Sequence, residues 1–170
     1  MITLNNFSQY EPEFKAFDGI YLQTADGLDW FYHRTRFQPD TLKICYDENS
    51  VIRMYSYQAD LLFPLGLSVT EVKPDEVPDG LNNHGDWLYE NGAITPNAAM
   101  LAQRAANQKQ RYLDDAGRFI APLQDAVDLA ESTEEELAHL QAWKKYRVLL
   151  NRLDTSTAPD IEWPDPPAIA

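Results

Sequence analysis

A change of hydrophobic period at Thr95-Pro96 constrains this chain more than any other feature. Before it, apolar residues come in short β-branched and aromatic runs broken by turn dipeptides. After it, they recur at steps of three and four as far as Leu153. A period-2 text suits strands and a 3.6-period text suits amphipathic helices, and neither settles well as the other. The expected fold is α+β. A small antiparallel β domain covers 1–95, an antiparallel helical hairpin covers 96–157, and an extended proline-rich tail covers 158–170.

In the first part, Asp26-Gly27 separates Gly19–Thr24 from Leu28–Phe37, and Asn91-Gly92 separates Trp87–Glu90 from Ala93-Ile94. Both dipeptides tolerate the left-handed angles of a tight hairpin. Leu42–Tyr46, Val51–Tyr57 and Leu67–Val72 are further strand candidates, and Lys73–Asn83 is an acidic loop. Alternation along Leu28–Phe37 sends Trp30 and Tyr32 to one face and Phe31 to the other. A small domain does not readily bury both faces. Trp30, Tyr32, Phe37, Tyr55 and Tyr57 are therefore candidates for a partner-binding surface, where Trp and Tyr are enriched. The same rings suit the core of a two-layer β domain equally well.

The second part opens with Pro96, whose fixed φ suits a first helical position. Leu101, Ala105, Gln108, Tyr112, Ala116, Phe119, Leu123 and Val127 form one helical face, which Met100, Ile120 and Ala130 widen. Pro122 within it predicts a kink. Thr133 and Glu136 spell a capping box for a second helix. Two such helices joined by a short link fold back on each other, with Leu123, Val127, Leu140, Trp143 and Leu150 as packing candidates. Trp163 is the candidate anchor of the tail.

Chemistry is sparse. Twenty-seven acidic residues against 14 basic ones leave a formal charge of -13, which opposes phosphate and anionic surfaces. Neither nucleic acid nor a membrane is an expected partner. The opening residues carry no basic stretch before a long apolar run, so no secretion signal is expected. Cys45 is single and sits in an apolar strand, which fits a reducing compartment and a structural role. His33, His84 and His139 lie far apart, without metal-ligand spacing; His33 is expected on the wet face of a strand. No catalytic residue, metal ligand or cofactor is assigned.

Pro122–Ala130, Thr133–Glu136, Trp143–Asp154 and Ala158–Pro164 together resemble the C-terminal region of phage tail-fibre assembly chaperones. Thr41–Ile44, Tyr46-Asp47 and Trp87–Gly92 are similar to the same family, in the version carried by Mu-like phages and related prophages. The resemblance implies a non-enzymatic protein of the host cytoplasm that helps a trimeric tail fibre fold, with the fibre's C-terminal tip as partner. It also leaves open a receptor-binding tip subunit that stays in the mature virion and meets a host surface receptor. A sugar hydrolase would need a buried carboxylate pair, which no spacing here demands. The β part carries a net charge of -9 through Pro96 and most of the aromatics, so it is expected to hold the fibre. The leucine-lined hairpin suits a fixed partner, either the β part or a second copy of the chain.

Overall fold

Asn91 and Gly92 take φ values of 52° and 84°, the paired left-handed angles that reverse a two-residue hairpin. In the computed structural model, which describes residues 1–16 and 18–168, the chain divides into two compact units, Met1–Asn97 and Ala98–Ala170. Phe17, Ile169 and Ala170, within the predicted β domain and tail, lie outside the described residues.

The first unit contains β1 (Thr3–Leu4), β2 (Ser8–Tyr10), β3 (Tyr21–Gln23), a one-turn helix α1 (Trp30–His33), β4 (Leu42–Tyr46), β5 (Ile52–Ser56), β6 (Ser68–Val72), β7 (Trp87–Glu90) and β8 (Ala93–Pro96). All pairings among these strands are antiparallel. A four-stranded sheet has the order β1-β6-β4-β5, and β2-β3 and β7-β8 form separate hairpins. Alternation along β4 divides its burial between two clusters. Cys45 faces Leu4, Phe7, Leu22, Trp30, Phe37, Leu62 and Val69, while Leu42 and Ile44 face Ile52 and Val72, with Trp87, Tyr89 and Ile94 packed over them. The sheet is covered on both faces, which accounts for a β4 and β6 with almost no exposed residue.

The segment expected as a strand over Leu28–Phe37 folds otherwise. It makes one bridge, Gln23 to Asp29, and then turns into α1. Asp29 caps that helix, accepting from the Tyr32 amide at 3.1 Å, and its other oxygen accepts from the Tyr10 hydroxyl at 2.8 Å. A capping carboxylate offers the backbone a local partner that competes with a strand ladder, and here it wins over aromatic β propensity. His33 accordingly ends a helix, with Nδ1 2.9 Å from the Asp29 carbonyl oxygen, and does not lie on a strand.

In the second unit, α2 (Ala98–Asp128) runs through Pro122 and α3 (Glu134–Arg152) returns beside it. Pro96 closes β8 and does not open the helix: a residue without an N–H suits a strand end, and the following Asn97 amide donates to the Asp86 carbonyl at 2.7 Å. Ala130 lies beyond α2, in the left-handed region at φ 57°. There the Glu131 and Ala130 amides close a Schellman motif on the Ala126 and Val127 carbonyls. Lys109 in α2 donates to the Asn151 and Leu153 carbonyls at the end of α3, and Lys144 in α3 to Gln124, which fixes the antiparallel pairing. Ala116, Ile120, Leu140, Trp143, Tyr146 and Leu150 form the buried core, with Phe119, Leu123 and Val127 packed against it. After a 3-10 turn at Thr155–Thr157 the chain has no regular structure over 161–168, and Trp163 packs on Tyr112 with ring centroids 5.3 Å apart. No helix among the described residues is long and apolar enough to cross a membrane.

Candidate interaction surface

The five aromatic residues picked from the sequence separate into three places. Trp30 and Phe37 belong to the core of the first unit. The Trp30 ring lies 5.3 Å from Phe7, edge-on, and 6.0 Å from Phe37. They are structural and present no surface. Tyr32, expected on the same face as Trp30, points the other way because two residues along a helix lie on nearly opposite sides; it is 75% exposed. Tyr55 and Tyr57 stand half-exposed at the edge strand β5 and just beyond it, and the Tyr55 hydroxyl donates to the Leu81 carbonyl at 3.0 Å. All five helix-packing candidates, Leu123, Val127, Leu140, Trp143 and Leu150, lie in one cluster in the second unit.

Tyr32 belongs to a cleft of about 290 Å³ lined by Tyr10, Phe14, Tyr21 and Phe31 among others. Asp29 organises it, capping α1 and accepting from Tyr10 at once. Burial, then the hydrogen bond to Asp29, pushes the Tyr10 phenol up to about 12, so it remains a donor. The Arg34 guanidinium lies 4.3 Å above the Phe31 ring, and its Nε sits 3.1 Å from Asp60. That pair ties the residue following α1 to the segment carrying Leu61, Phe63 and Leu65, all exposed. Phe14, at the cleft's rim, is 83% exposed.

Phe14, Leu61, Phe63 and Leu65 were not among the residues singled out by pattern. A signal for the last three exists. From Leu61 to Leu65 all five residues are apolar or proline, and Leu62 and Pro64 turn inward while the alternate three turn out. An alternating segment with apolar residues on both faces must leave one of them to solvent or to a partner. Phe14, alone between Glu13 and Lys15, carries no such pattern. Among the described residues, every aromatic that is markedly exposed lies in the first unit: Phe14, Tyr32, Tyr55, Tyr57 and Phe63. Such a surface can bind an apolar or β-structured partner by burying rings, and its edge strand can pair with another.

The titratable groups are of a different kind. Burial pushes the Cys45 thiol up to about 12, leaving it a neutral core side chain. Among the described residues no group of three His, Cys, Asp or Glu could hold a metal ion.

Fold and surface together describe a two-unit α+β protein with its exposed rings gathered in the β unit. Residues 33–168 match the family model described as Caudovirales tail fibre assembly protein, lambda gpK, and the chain belongs to that family. It is 36% identical over 177 residues to tail fiber assembly protein U of Escherichia phage Mu, covering 98% of this chain and 99% of the relative. It is 38% identical over 156 residues to a probable tail fiber assembly protein of Escherichia phage P2, covering 90% and 87%. A shorter stretch of 67 residues, 39% of this chain and 34% of the relative, is 58% identical to the tail fiber assembly protein of Escherichia phage lambda.

Proposed function

We propose that the protein is a chaperone for a phage tail fibre. In this reading it works in the host cytoplasm and holds the C-terminal tip of the fibre while three fibre chains fold and trimerise. The observation that carries it is the grouping of exposed rings and apolar side chains in the first unit, around Tyr32 and along Leu61–Leu65. An intertwined trimer leaves strands and apolar edges open until three chains meet, and long-range β pairing is slow and prone to aggregation. A folded partner with rings and a strand edge would cover those surfaces. Its charge of -13 would keep the complex apart from other copies.

The test is co-expression with a C-terminal fragment of the fibre, scored for soluble trimer by gel filtration and light scattering. Phe14→Ser and Phe63→Ser are expected to abolish most of the soluble trimer. Each should cost about 2 kcal/mol or more of binding, as truncation of a central ring does. Both side chains are exposed in the free protein, so the melting temperature should stay within a few degrees of the parent. Full trimer yield with both variants would overturn the assignment of this face. A chain that co-purifies with mature particles, and is needed there for attachment but not for trimer formation, would replace the chaperone by a receptor-binding tip subunit.

A further inference from the structure

The helical unit contains a cavity of about 570 Å³ that the packing of α2 on α3 does not require. Its walls are Tyr112 and Phe119 from α2, Trp143 and Tyr146 from α3, and Trp163 from the segment beyond the 3-10 turn. The rings are set across one another. Tyr112 meets Trp163 at 80°, and Trp143 meets Tyr146 at 82° with centroids 5.8 Å apart. Phe119 stacks on one face of Trp143 at 4.3 Å. Rings at right angles make the corners of a box. The charged groups lining it are two carboxylates, Asp115 and Asp165, and among the described residues no Lys, Arg or His lines it. Asp115 pairs at 3.1 Å with Arg118, but that pair is exposed on both sides and weakly held.

We infer that this cavity recognises a cationic side chain, that of an arginine in a partner polypeptide. Aromatic faces carry negative charge density and attract a cation, Trp most strongly. A guanidinium adds what an ammonium lacks: it stacks flat on a ring and forks onto a carboxylate at the same time. The volume exceeds one guanidinium and falls in the range of ligand pockets, so residues flanking the arginine enter with it. A neutral sugar would fit better on one open ring face offered with donors and acceptors. Here the faces meet at right angles, and both acidic side chains in the lining suit a cation. The pocket is lined by residues of the second unit alone.

The test is an NMR titration of the full-length protein, following the indole N–H signals of Trp143 and Trp163. The probes are acetyl-Gly-Arg-Gly-amide and its citrulline counterpart, which keeps shape and loses charge. The arginine peptide is expected to shift both signals saturably and to bind about tenfold more tightly than the citrulline peptide. Asp165→Asn combined with Asp115→Asn, both exposed, should weaken the arginine peptide to the citrulline level without lowering the melting temperature. Trp163→Ala should abolish the shift of Trp143. Equal binding of the two peptides overturns the inference. So does the absence of a saturable shift with arginine, or an indole response to lactose in its place.

Discussion

Lys43 and Glu71 face each other across β4 and β6, both almost wholly buried. Lys43 Nζ donates to the carbonyls of Gln38, of Thr41 at 2.8 Å and of Tyr57 at 3.0 Å. Glu71 accepts from the amides of Ile2 and Gln38 and from the Thr41 hydroxyl. Burial pulls the Lys43 ammonium below its usual range, and the nearby Glu71 and Asp40 carboxylates act against that. Two side chains thereby fasten the start of the chain, the 38–41 turn and the backbone of Tyr57 just beyond β5. Lys43→Met should destabilise the protein by about 3–5 kcal/mol, because it strands a buried carboxylate and leaves carbonyls unpaired. Urea denaturation measures it, and a Lys43→Met/Glu71→Met double variant should cost less than the two single variants added together. A loss under about 1 kcal/mol for Lys43→Met would show that the two groups are not coupled in this way.

The elements differ in how far their own residues decide them. The start of α3 is decided locally. The Thr133 hydroxyl accepts from the Glu136 amide at 3.2 Å, and Glu136 accepts from the Thr133 amide at 2.7 Å. The amide bond first, and then a bond that the Thr133 hydroxyl donates to the same carboxylate oxygen at 3.1 Å, hold the Glu136 carboxyl below the usual range. Thr133→Ala should cost about 1 kcal/mol of stability, and Thr133→Asn, which still caps, should cost little. Thermal melts followed at the helical dichroism band would show it; equal melting of both variants would mean that packing alone holds α3. The one-turn helix α1 shows the opposite case. Its four residues are aromatic or histidine and read as a strand, yet one carboxylate before them decides the matter.

Across the whole molecule, exposed rings and most of the negative charge belong to the first unit, while the second packs its rings within its own helix pair and leaves only the aliphatic Leu129, Leu137, Val148 and Leu149 exposed among its large apolar side chains that are described. Fibre binding is therefore expected to track with Met1–Asn97. Expressed alone, that fragment should bind the fibre's C-terminal fragment in calorimetry, and Ala98–Ala170 should not. Binding by the helical fragment, with the β fragment folded but inert, would reverse the division of labour.

What the amino-acid order determined by itself were features set within a few residues: the capping box, the Asn91-Gly92 turn and the two helical faces. Each depends on short-range geometry that a spacing or a dipeptide encodes. The family was also legible there, since its words are long and run along the chain in order. The fate of the aromatic residues was not. Trp30 and Tyr32 carry the same kind of ring two positions apart, yet one fills the core and the other lines an open cleft. Alternation assigns faces only once an element is known to be a strand, and the Asp29 cap removed that premise. The burial of Lys43, the outward turn of Leu61, Phe63 and Leu65, and the box of rings around Trp163 all arise from segments distant in sequence. Only tertiary packing brings those together, because burial belongs to the surroundings of a side chain and not to its type.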